Sequence, residues 1–387
     1  MPRINLPYDI LVEILYRLAV KDLLRLRCGS KDCRDLIDSP DFVKLHLSHS
    51  LKTDSHRFLI MVRNGKSKPK PFSLELDSLE IPQIKSSDIL TDLQVKFPII
   101  GSCNGLIALK TNNGDATVIC NPTTRKIRLV PKPPKNKKTE SSFPVSTGFG
   151  YDPISDDYKL VMLIQRYNKH DEVSISTKIY SLKSRNWRNS FHEIPCVPNL
   201  VSNAFERIHL VNNALHWVMV LDSDDRSKTI VAFDLTTERY RYVPLPLLDH
   251  NTSLVELYYA MDLKELGGCL CMIGHRYDYS KRCLFYDMWV MKEYGLQESW
   301  TQLFPFTMSG EVYPVAYSKC GQKFLCISYD YNGYKGKLVW YNLKGEKTED
   351  IEIEVRYYPT GPDVCISSLV SPMAAGKESK RIGNTPA

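Results

Sequence analysis

The sequence has no long apolar run and no pair of cysteines at Cys-x-x-Cys spacing. A membrane-spanning helix needs roughly 18 or more mostly apolar residues, and Cys-x-x-Cys pairs are typical of zinc and redox sites. The first segment, MPRINLPYDILVEIL, lacks the uninterrupted apolar core of a secretion signal, because Asp9 and Glu13 interrupt it. These absences predict a soluble chain that stays inside the cell and has no membrane partner.

Charge of one sign is also scarce, since the net charge is +7 over 387 residues. The basic runs KSKPKP (66–71) and PKPPKNKK (131–138) lie among prolines and contain no interleaved aromatic residues. They therefore predict solvated loops and no nucleic-acid partner, with a weak nuclear-import signal or a partner patch as the alternative for the second run. The eleven cysteines, an odd number, predict buried thiols in a reducing compartment.

Residues 1–50 differ in pattern from the rest of the chain. Apolar residues recur there at helical spacing, as at Ile10, Ile14 and Leu18, and Pro7 and Pro40 suit first helical turns. We predict three or four short helices. So small a unit contains more apolar side chains than it can bury alone, so some of them should face a partner or the body of the protein.

Residues 51–372 are predicted to be a β domain, because apolar residues alternate in short runs separated by Gly, Pro, Asn and Asp. An apolar strand followed by a polar turn and a bulky residue occurs six times, at intervals of 44 to 60 residues. This repeat predicts a mainly β fold, a β-propeller of about six four-stranded blades, with a large two-sheet sandwich as the alternative. Residues 373–387 are predicted to be a polar tail. The aligned positions are Leu76, Cys120, Tyr180, Phe233, Val290 and Tyr341.

The stretch Gly101-Ser102-Cys103-Asn104-Gly105 has the spacing of a nucleophile elbow, in which a turn between a strand and a helix presents the nucleophile. Strand patterns follow it here in place of a helix, and Asn-Gly is a strong hairpin-turn signal. We therefore predict a hairpin turn with Cys103 packed beside it. A hydrolase that uses Cys103 is the alternative from another functional class.

Other residues that could form catalytic or metal sites are predicted to have packing or turn roles instead. His46 and His49 lack the partner pattern of a zinc site, and His216 in ALHWVMV is predicted to be a hydrogen-bonded core residue. Gly267-Gly268 predicts a turn, and YDPISDDY (151–158) predicts a proline-containing turn and not a calcium loop. We predict no catalytic residue, metal or cofactor, and hence a binding protein.

The segment LPYDILVEILYRLAVKDLLRLRCGSKDCRDLIDSPDFVKLHL resembles an F-box. That family pattern combines Leu-Pro, a spaced Ile-Leu helix, Arg-Leu-Pro, a Leu-Leu pair, a Ser-Lys step and Asp-Pro-x-Phe. Ala19 stands at the usual proline and Cys33 where many members carry tryptophan, changes that would at most weaken adaptor affinity. The matching residues are Leu6, Pro7, Ile10, Ile14, Leu15, Arg17, Leu18, Leu23, Leu24, Ser30, Lys31 and Phe42.

The body resembles the F-box-associated domain of plant F-box proteins, so that the resemblance extends from about residue 5 to 371. Cys33 and VMKEYGLQESW favour the branch that controls turnover of intracellular immune receptors. Pollen S-locus F-box proteins, which target self-incompatibility ribonucleases, share the architecture and are the alternative. The motifs are GSCNGLIAL, NPTTRKIRLVP, GFGYDPISDDYKLV, YSLKSRNWR, LHWV, IVAFDLTTERY and DMWVMKEYGLQESWTQLF.

The resemblance implies a non-catalytic substrate receptor of an SCF-type (Skp–cullin–F-box) ubiquitin ligase, present in cytoplasm and nucleus. Residues 1–50 would bind a Skp-type adaptor, and through it cullin and the RING subunit, while the β domain would bind a protein substrate for degradation. A scaffold that binds the adaptor without promoting degradation is a further alternative. The expected adaptor contacts are Leu6, Pro7, Ile10, Ile14, Leu15, Leu18, Leu23 and Leu24.

Substrate contacts are expected from loops at about 131–142, 166–173, 221–228, 275–282 and 328–336. Aromatic residues and arginine are favoured where binding energy is concentrated, and the last two loops are rich in both. The residues expected to contact substrate are Arg276, Tyr277, Tyr279, Tyr329, Tyr331 and Tyr334.

Overall fold

Four helices and six four-stranded sheets make up the part of the chain that the structure describes. The structure is a computed structural model. The described residues are 7–63, 70–76, 79, 86–88, 95–111, 116–134, 141–167, 173–192, 194, 208–220, 228–247, 261–278, 283–308, 312–329, 335–342, 347–356 and 362–373.

The four helices form an N-terminal head. Ser30 caps the third helix by accepting a hydrogen bond from the Cys33 amide, and Ser39 caps the fourth in the same way through Phe42. Pro40 occupies the first turn of the fourth helix, where its missing N–H costs nothing. The helices are α1 (Tyr8–Leu15), α2 (Val20–Leu26), α3 (Lys31–Ile37) and α4 (Pro40–Lys52).

The strands form six antiparallel blades, each built from consecutive strands except at the first blade. The first blade contains β1 (Arg57–Arg63), β2 (Lys70–Glu75) and β3 (Ser86–Asp88). The second contains β4 (Val95–Cys103), β5 (Leu106–Thr111), β6 (Ala116–Asn121) and β7 (Lys126–Pro131), and the third β8 (Ser141–Asp152), β9 (Asp157–Tyr167), β10 (Val173–Ser181) and β11 (Trp187–Asn189).

The remaining strands continue this order around the ring. The fourth blade contains β12 (His209–Val211), β13 (Ala214–Val220), β14 (Lys228–Asp234) and β15 (Tyr240–Val243). The fifth contains β16 (Met261–Leu266), β17 (Cys269–Asp278), β18 (Cys283–Met291) and β19 (Trp300–Met308), preceded by a 3-10 turn at Gln297–Ser299. The sixth contains β20 (Val312–Tyr317), β21 (Lys323–Tyr329), β22 (Lys335–Asn342) and β23 (Lys347–Arg356), and β24 (Asp363–Ile366) follows.

Strand β24 closes the ring by pairing with β1, as at Phe58 and Cys365. It thereby becomes the innermost strand of the first blade, and the innermost strands β24, β4, β8, β12, β16 and β20 contact one another in ring order. The prediction of a propeller with six four-stranded blades is confirmed, and the two-sheet sandwich is wrong.

The core lies between the blades. Six clusters of buried apolar side chains fill the six junctions between neighbouring blades, including the junction of the first and sixth blades. The repeated sequence signature explains this regularity, because the aligned positions from Leu76 to Tyr341 all lie at or just after the end of the third strand of a blade. All six repeats therefore mark equivalent structural positions.

The two faces of the propeller differ in what lies against them. Within each blade, the turns after the first and third strands lie on one face, here called the head-side face, and the turns after the second strand lie on the opposite face, here called the far face. The head packs on the head-side face, where Lys44 of α4 forms an ion pair with Asp156 after β8. Val43 and Leu47 pack against the cluster between the second and third blades.

Candidate functional sites: the head surface and the far face

Two of the leucines predicted to contact an adaptor are buried inside the head. Leu15 is 3% exposed and Leu23 is 0% exposed, and both pack with Ile37 and Phe42 in the core between the helices. They have no surface to offer a partner, so we reassign Leu15 and Leu23 from contact residues to residues that hold the helices together. The N-terminal signature therefore mixes core and contact positions.

The outer side of α1 presents the predicted contact residues that remain. Ile10 and Ile14 are 47% and 46% exposed and lie one turn apart on the same side of α1. Exposed isoleucines at this spacing form an apolar stripe that a partner can bury, at about 1.5–3 kcal/mol for each fully buried side chain. Pro7 is exposed at the start of α1, Leu18 and Leu24 are half-buried, and Leu6 lies outside the described residues.

Tyr8 and Leu26 are further exposed apolar side chains of the head that the sequence analysis missed. Tyr8 lies at the start of α1, next to the stripe, and Leu26 ends α2. The large number of apolar residues in 1–50 did predict that some of them would be exposed. Helical periodicity alone could not show which of these side chains point outward.

His46 holds the head together from inside. The ring is fully buried, and its Nε2 lies 3.0 Å from the backbone oxygen of Leu18, in the connection between α1 and α2. Burial lowers the pKa of His46, which favours the neutral ring. The prediction that His46 and His49 are not zinc ligands agrees with this packing role for His46.

The strand ends that flank the five predicted substrate loops lie on one face of the propeller. Four of these loops connect the second and third strands of the third to sixth blades, and one connects the second blade to the third. The strand ends that flank these loops, such as Tyr167 and Val173 or Val220 and Lys228, all lie on the far face. The described strand ends on either side of the loops nominated from sequence therefore lie on the face opposite the head.

The individual substrate residues fare differently. Arg276 and Tyr277 lie near the far-face end of β17, and their side chains lie outside the described residues, as do Tyr279, Tyr331 and Tyr334. Tyr329 is buried in the cluster between the first and sixth blades, where its ring meets Tyr313 edge-on at 5.7 Å. The expectation that Tyr329 projects from a loop is wrong, because as the last residue of β21 it points into the core.

Cys103 lies in the predicted hairpin. It pairs with Leu106 across a turn whose central residues, Asn104 and Gly105, have φ of 52° and 82°. Positive φ at both positions is typical of a tight hairpin turn. Burial raises the pKa of Cys103 to about 12, and a thiol that resists ionisation is a poor nucleophile. These observations argue against the alternative of a Cys103 hydrolase.

The other residues considered for chemistry have structural partners. His216 is fully buried between the His209 carbonyl oxygen and the Tyr294 hydroxyl, 3.2 and 2.6 Å away, which confirms it as a hydrogen-bonded core residue. Residues 153–156 form the turn between β8 and β9, as predicted, and Gly267 and Gly268 form a turn with positive φ.

Across the described ranges no cluster of His, Cys, Asp and Glu is arranged to hold a metal ion. The longest helix there has 13 residues, and none has the length and apolar composition to cross a membrane. The described cysteines are free thiols, but Cys28 and Cys320 are exposed, contrary to the prediction that the thiols are buried.

A polar cavity of about 60 Å³ lies in the central channel, lined by side chains that include His209, Lys264, Glu265 and Asp363. So small a space admits water or small ions and no segment of a folded protein. Burial raises the pKa of Glu265, which favours its protonated form. This cavity is therefore not a binding site for a protein partner.

The described part of the chain combines a four-helix head with a six-bladed propeller. The chain belongs to the family of the F-box associated beta propeller domain, which matches residues 55–371, and an F-box domain matches residues 4–45. This pair of domains supports a role in substrate recognition for an SCF-type ligase in general, and the F-box implies binding to a Skp-type adaptor.

The relatives are F-box proteins of a plant. F-box protein CPR1 of Arabidopsis thaliana is 33% identical over 390 residues, covering 95% of this chain and 89% of that protein. F-box protein At4g22390 of the same plant is 30% identical over 389 residues, covering 94% and 90%. Among solved structures, the tricorn protease matches at a TM-score of 0.40 and 11% identity, over 80% of this chain and 30% of that chain, which is too distant to inform function.

Proposed function

We propose that this protein is the substrate receptor of an SCF-type ubiquitin ligase, with its head bound to a Skp-type adaptor and its target bound at the far face. The observation that carries the proposal is the position of two features on opposite sides of the propeller. The apolar stripe of Ile10 and Ile14 belongs to the head, and the strand ends that flank the loops rich in aromatic and basic residues lie on the far face.

Such a receptor accelerates ubiquitin transfer without chemistry of its own. Holding a lysine of the target near the charged conjugating enzyme converts an encounter in solution into a reaction within one complex, which is worth several kcal/mol of the barrier. This role fits the raised pKa of Cys103 and the structural partners of His216. The chain would then act as a non-catalytic subunit, in cytoplasm and nucleus.

The target class we propose is intracellular immune receptors. Cys33 and the VMKEYGLQESW segment support that branch. Self-incompatibility ribonucleases are the second candidate, because the pollen S-locus F-box proteins share the same architecture. A scaffold without a degradation role is the third.

Adaptor binding is tested by Ile10→Asp and Ile14→Asp. Each change places a charge on the apolar stripe while leaving the buried core of the head intact, so adaptor affinity should fall at least about 30-fold, corresponding to ~2 kcal/mol. Isothermal titration calorimetry of the full chain with a Skp-type adaptor measures the effect. Leu129→Asp, at an exposed leucine of the propeller, is the matched control and should bind like the wild type.

Leu15→Asp is a poor test of the same surface, because it would put a charge into the core of the head. Retention of wild-type affinity by both Ile10→Asp and Ile14→Asp would disprove the proposed adaptor surface. The target class is tested by capturing bound proteins from plant cells with the proteasome inhibited. Enrichment of immune receptors supports the first candidate, ribonucleases the second, and adaptor without any ubiquitinated target the scaffold.

A further inference from the structure

The segment 367–373, here called the C-terminal clamp, lies between the head and the propeller. It leaves β24 on the head-side face, and its first residue donates a backbone hydrogen bond of 2.9 Å to the His56 oxygen. His56 lies in the joint between α4 and β1. The clamp therefore begins at the point where the head is connected to the first blade.

The propeller binds the clamp through side chains of the second blade. The amide nitrogen of Asn121 donates to the backbone oxygens of Ser368 and Val370, at 2.9 and 2.8 Å. Arg128 donates to the Pro372 oxygen at 3.2 Å. Asn121 and Ser368 are both fully buried, so these hydrogen bonds are shielded from water and cost more to break than exposed ones.

The head binds the same segment through its core. Leu369 is 8% exposed and packs into the cluster that contains Leu15 and Phe42. The next residue, Val370, points the other way, into the cluster between the second and third blades, against which Leu47 of α4 also packs. Successive side chains of the clamp thus belong to the two different cores.

Two ion pairs also join the head to the propeller, but they contribute less than the clamp does. The described ion pairs Lys44–Asp156 and Lys21–Glu75 measure 2.7 and 3.6 Å, and all four side chains are well exposed. Exposed pairs contribute about 0–1 kcal/mol and are screened by salt. Buried packing and shielded hydrogen bonds of the clamp therefore dominate over these ion pairs in fixing the angle between head and propeller.

We propose that the clamp is a positioning element for ubiquitin transfer, in which Asn121 and Leu369 fix the far face at one distance and angle from the adaptor. This inference rests on the proposed ligase function. Transfer depends on the effective concentration of the acceptor lysine at the conjugating enzyme, which falls when the joint that carries the acceptor becomes loose. A rigid joint therefore selects which lysines are reached.

Two variants loosen the clamp from opposite sides. Asn121→Asp removes the donor to the clamp but keeps Oδ1, which accepts from the Thr123 and Thr124 amides, and Asp234 makes the equivalent turn in the fourth blade. Leu369→Ala removes the contact with the head. Leu263→Ala is the matched control, because Leu263 is 7% exposed in the cluster between the fourth and fifth blades.

The first measurement is the distance between spin labels at Arg25 of the head and Lys292 of the fifth blade, both exposed, in the full chain bound to a Skp-type adaptor. The wild type and Leu263→Ala should give one narrow distance peak. Asn121→Asp and Leu369→Ala should lose that peak and give a broad distribution. A narrow peak retained in both clamp variants would overturn the inference.

The second measurement uses a reconstituted ligase in which the lysines of this chain are the acceptors, mapped by mass spectrometry. In Asn121→Asp, modification of the preferred lysines should fall by about tenfold and spread to others, because proximity is lost. Adaptor affinity should stay at the wild-type value, since Asn121 belongs to the propeller and Ile10 and Ile14 belong to α1 of the head. A purely structural role would leave the lysine pattern unchanged.

The two measurements separate the possible failures. A broadened distance with an unchanged lysine pattern would overturn the positioning role of the clamp. Absence of any modification by the wild type, although the adaptor is bound, would overturn the proposed ligase function and the positioning role with it. The spin-label distances would in that case still decide whether the clamp sets the angle. If Leu369→Ala loosens the head itself, Asn121→Asp decides, because it leaves the core of the head untouched.

Discussion

Lys159 is a buried cation between the third and fourth blades. Its Nζ donates to Asp152 and to Glu238, each at 2.9 Å, and to the backbone oxygen of Leu235, and Arg188 also pairs with Glu238. Burial alone would raise the pKa of Asp152, but hydrogen bonds from Ser155, Lys159 and Thr236 outweigh burial and hold it well below its usual range. Each of these charged side chains is stabilised by its oppositely charged partners, so removing one of them leaves the others uncompensated.

Replacing Lys159 by methionine should therefore lower the free energy of unfolding by about 3 kcal/mol, because the buried Asp152 and the half-buried Glu238 lose their shared cation. Urea denaturation followed by fluorescence measures the loss. Lys347→Met is the control, since Lys347 pairs with Asp350 at the surface and should cost less than about 1 kcal/mol. Equal losses in the two variants would contradict a special role for the buried network.

His216 should make stability depend on pH. Burial lowers the pKa of His216 to about 4, against an ordinary value of 6.5. Between pH 6.5 and 4 the unfolded chain binds a proton that the folded chain does not, so the free energy of unfolding falls as pH falls, by at most about 3 kcal/mol. Above pH 6.5 this contribution is complete and constant.

In His216→Gln this pH dependence between 6.5 and 4 should be flatter than in the wild type. Denaturation at several pH values within that window measures the slope. His192→Gln, at an exposed histidine, should keep the wild-type slope. An unchanged slope in His216→Gln would show that other groups cause the dependence.

At the scale of elements, two tryptophan contacts join neighbouring blades in the same way. Trp187 at the start of β11 donates to the Pro131 oxygen of the preceding blade, and Trp300 at the start of β19 donates to the Pro244 oxygen, both at 2.8 Å. The two residues of each pair are 56 positions apart in both cases. The two acceptor prolines end the similar segments KIRLVP (126–131) and RYRYVP (239–244), so the sequence repeat corresponds to a repeated contact between blades.

The blades could be predicted from sequence because they depend on local signals. Alternation of apolar residues, Asn-Gly turns such as 104–105, and the recurring third-strand signature each act within about ten residues. The exposed side of the head could not be predicted as reliably. Ile14 and Leu15 are adjacent apolar residues of α1, and only the packing of the other helices decides that Leu15 is buried and Ile14 exposed.

Gly105 and Gly268 both lie in turns with positive φ, but only Gly105 is crowded by neighbouring atoms. Its φ is +82°, and a Cβ there would come within 2.8 Å of the Ile366 oxygen and collide with Ser368. Gly268 has a φ of +83° and open space around the same position. The two glycines therefore differ in crowding and hardly at all in backbone conformation.

Gly268→Ala should cost about 1–2 kcal/mol from backbone strain alone. Gly105→Ala should cost at least about 1 kcal/mol more, because the added methyl group pushes the C-terminal clamp from its site. Thermal unfolding of both variants, side by side, measures the difference. Equal melting temperatures would mean that the clamp yields without cost at this point.

At the scale of the whole molecule, contacts distant in sequence complete both domains. Strand β24 closes the first blade against β1, about 300 residues earlier, and Leu369 completes the core of the head. Sequence patterns could not predict these contacts, because DVCI and SSLVS look like any other short strand and loop. The role of these two segments becomes apparent only in the folded ring, where β24 lies beside β1 and Leu369 lies beside the head.

A graded truncation should separate the two contacts. A chain ending at residue 366 keeps β24 and should retain cooperative unfolding of the propeller, with a head that binds it loosely. A chain ending at 361 lacks β24, leaves the inner edge of β1 unpaired, and should aggregate or lose its cooperative transition. Calorimetry of both, with a chain ending at 373 as reference, measures the outcome. A cooperative transition of reference size in the 1–361 chain would contradict the importance of ring closure.

The pairing of β24 with β1 also has a consequence for biosynthesis. The head and most of the propeller are translated before residues 363–373, so the ring stays open until the end of synthesis. Premature termination anywhere before residue 363 would yield a product without both the closing strand and Leu369. We expect such products to be recognised as unfolded and degraded, so that only chains with a closed ring accumulate.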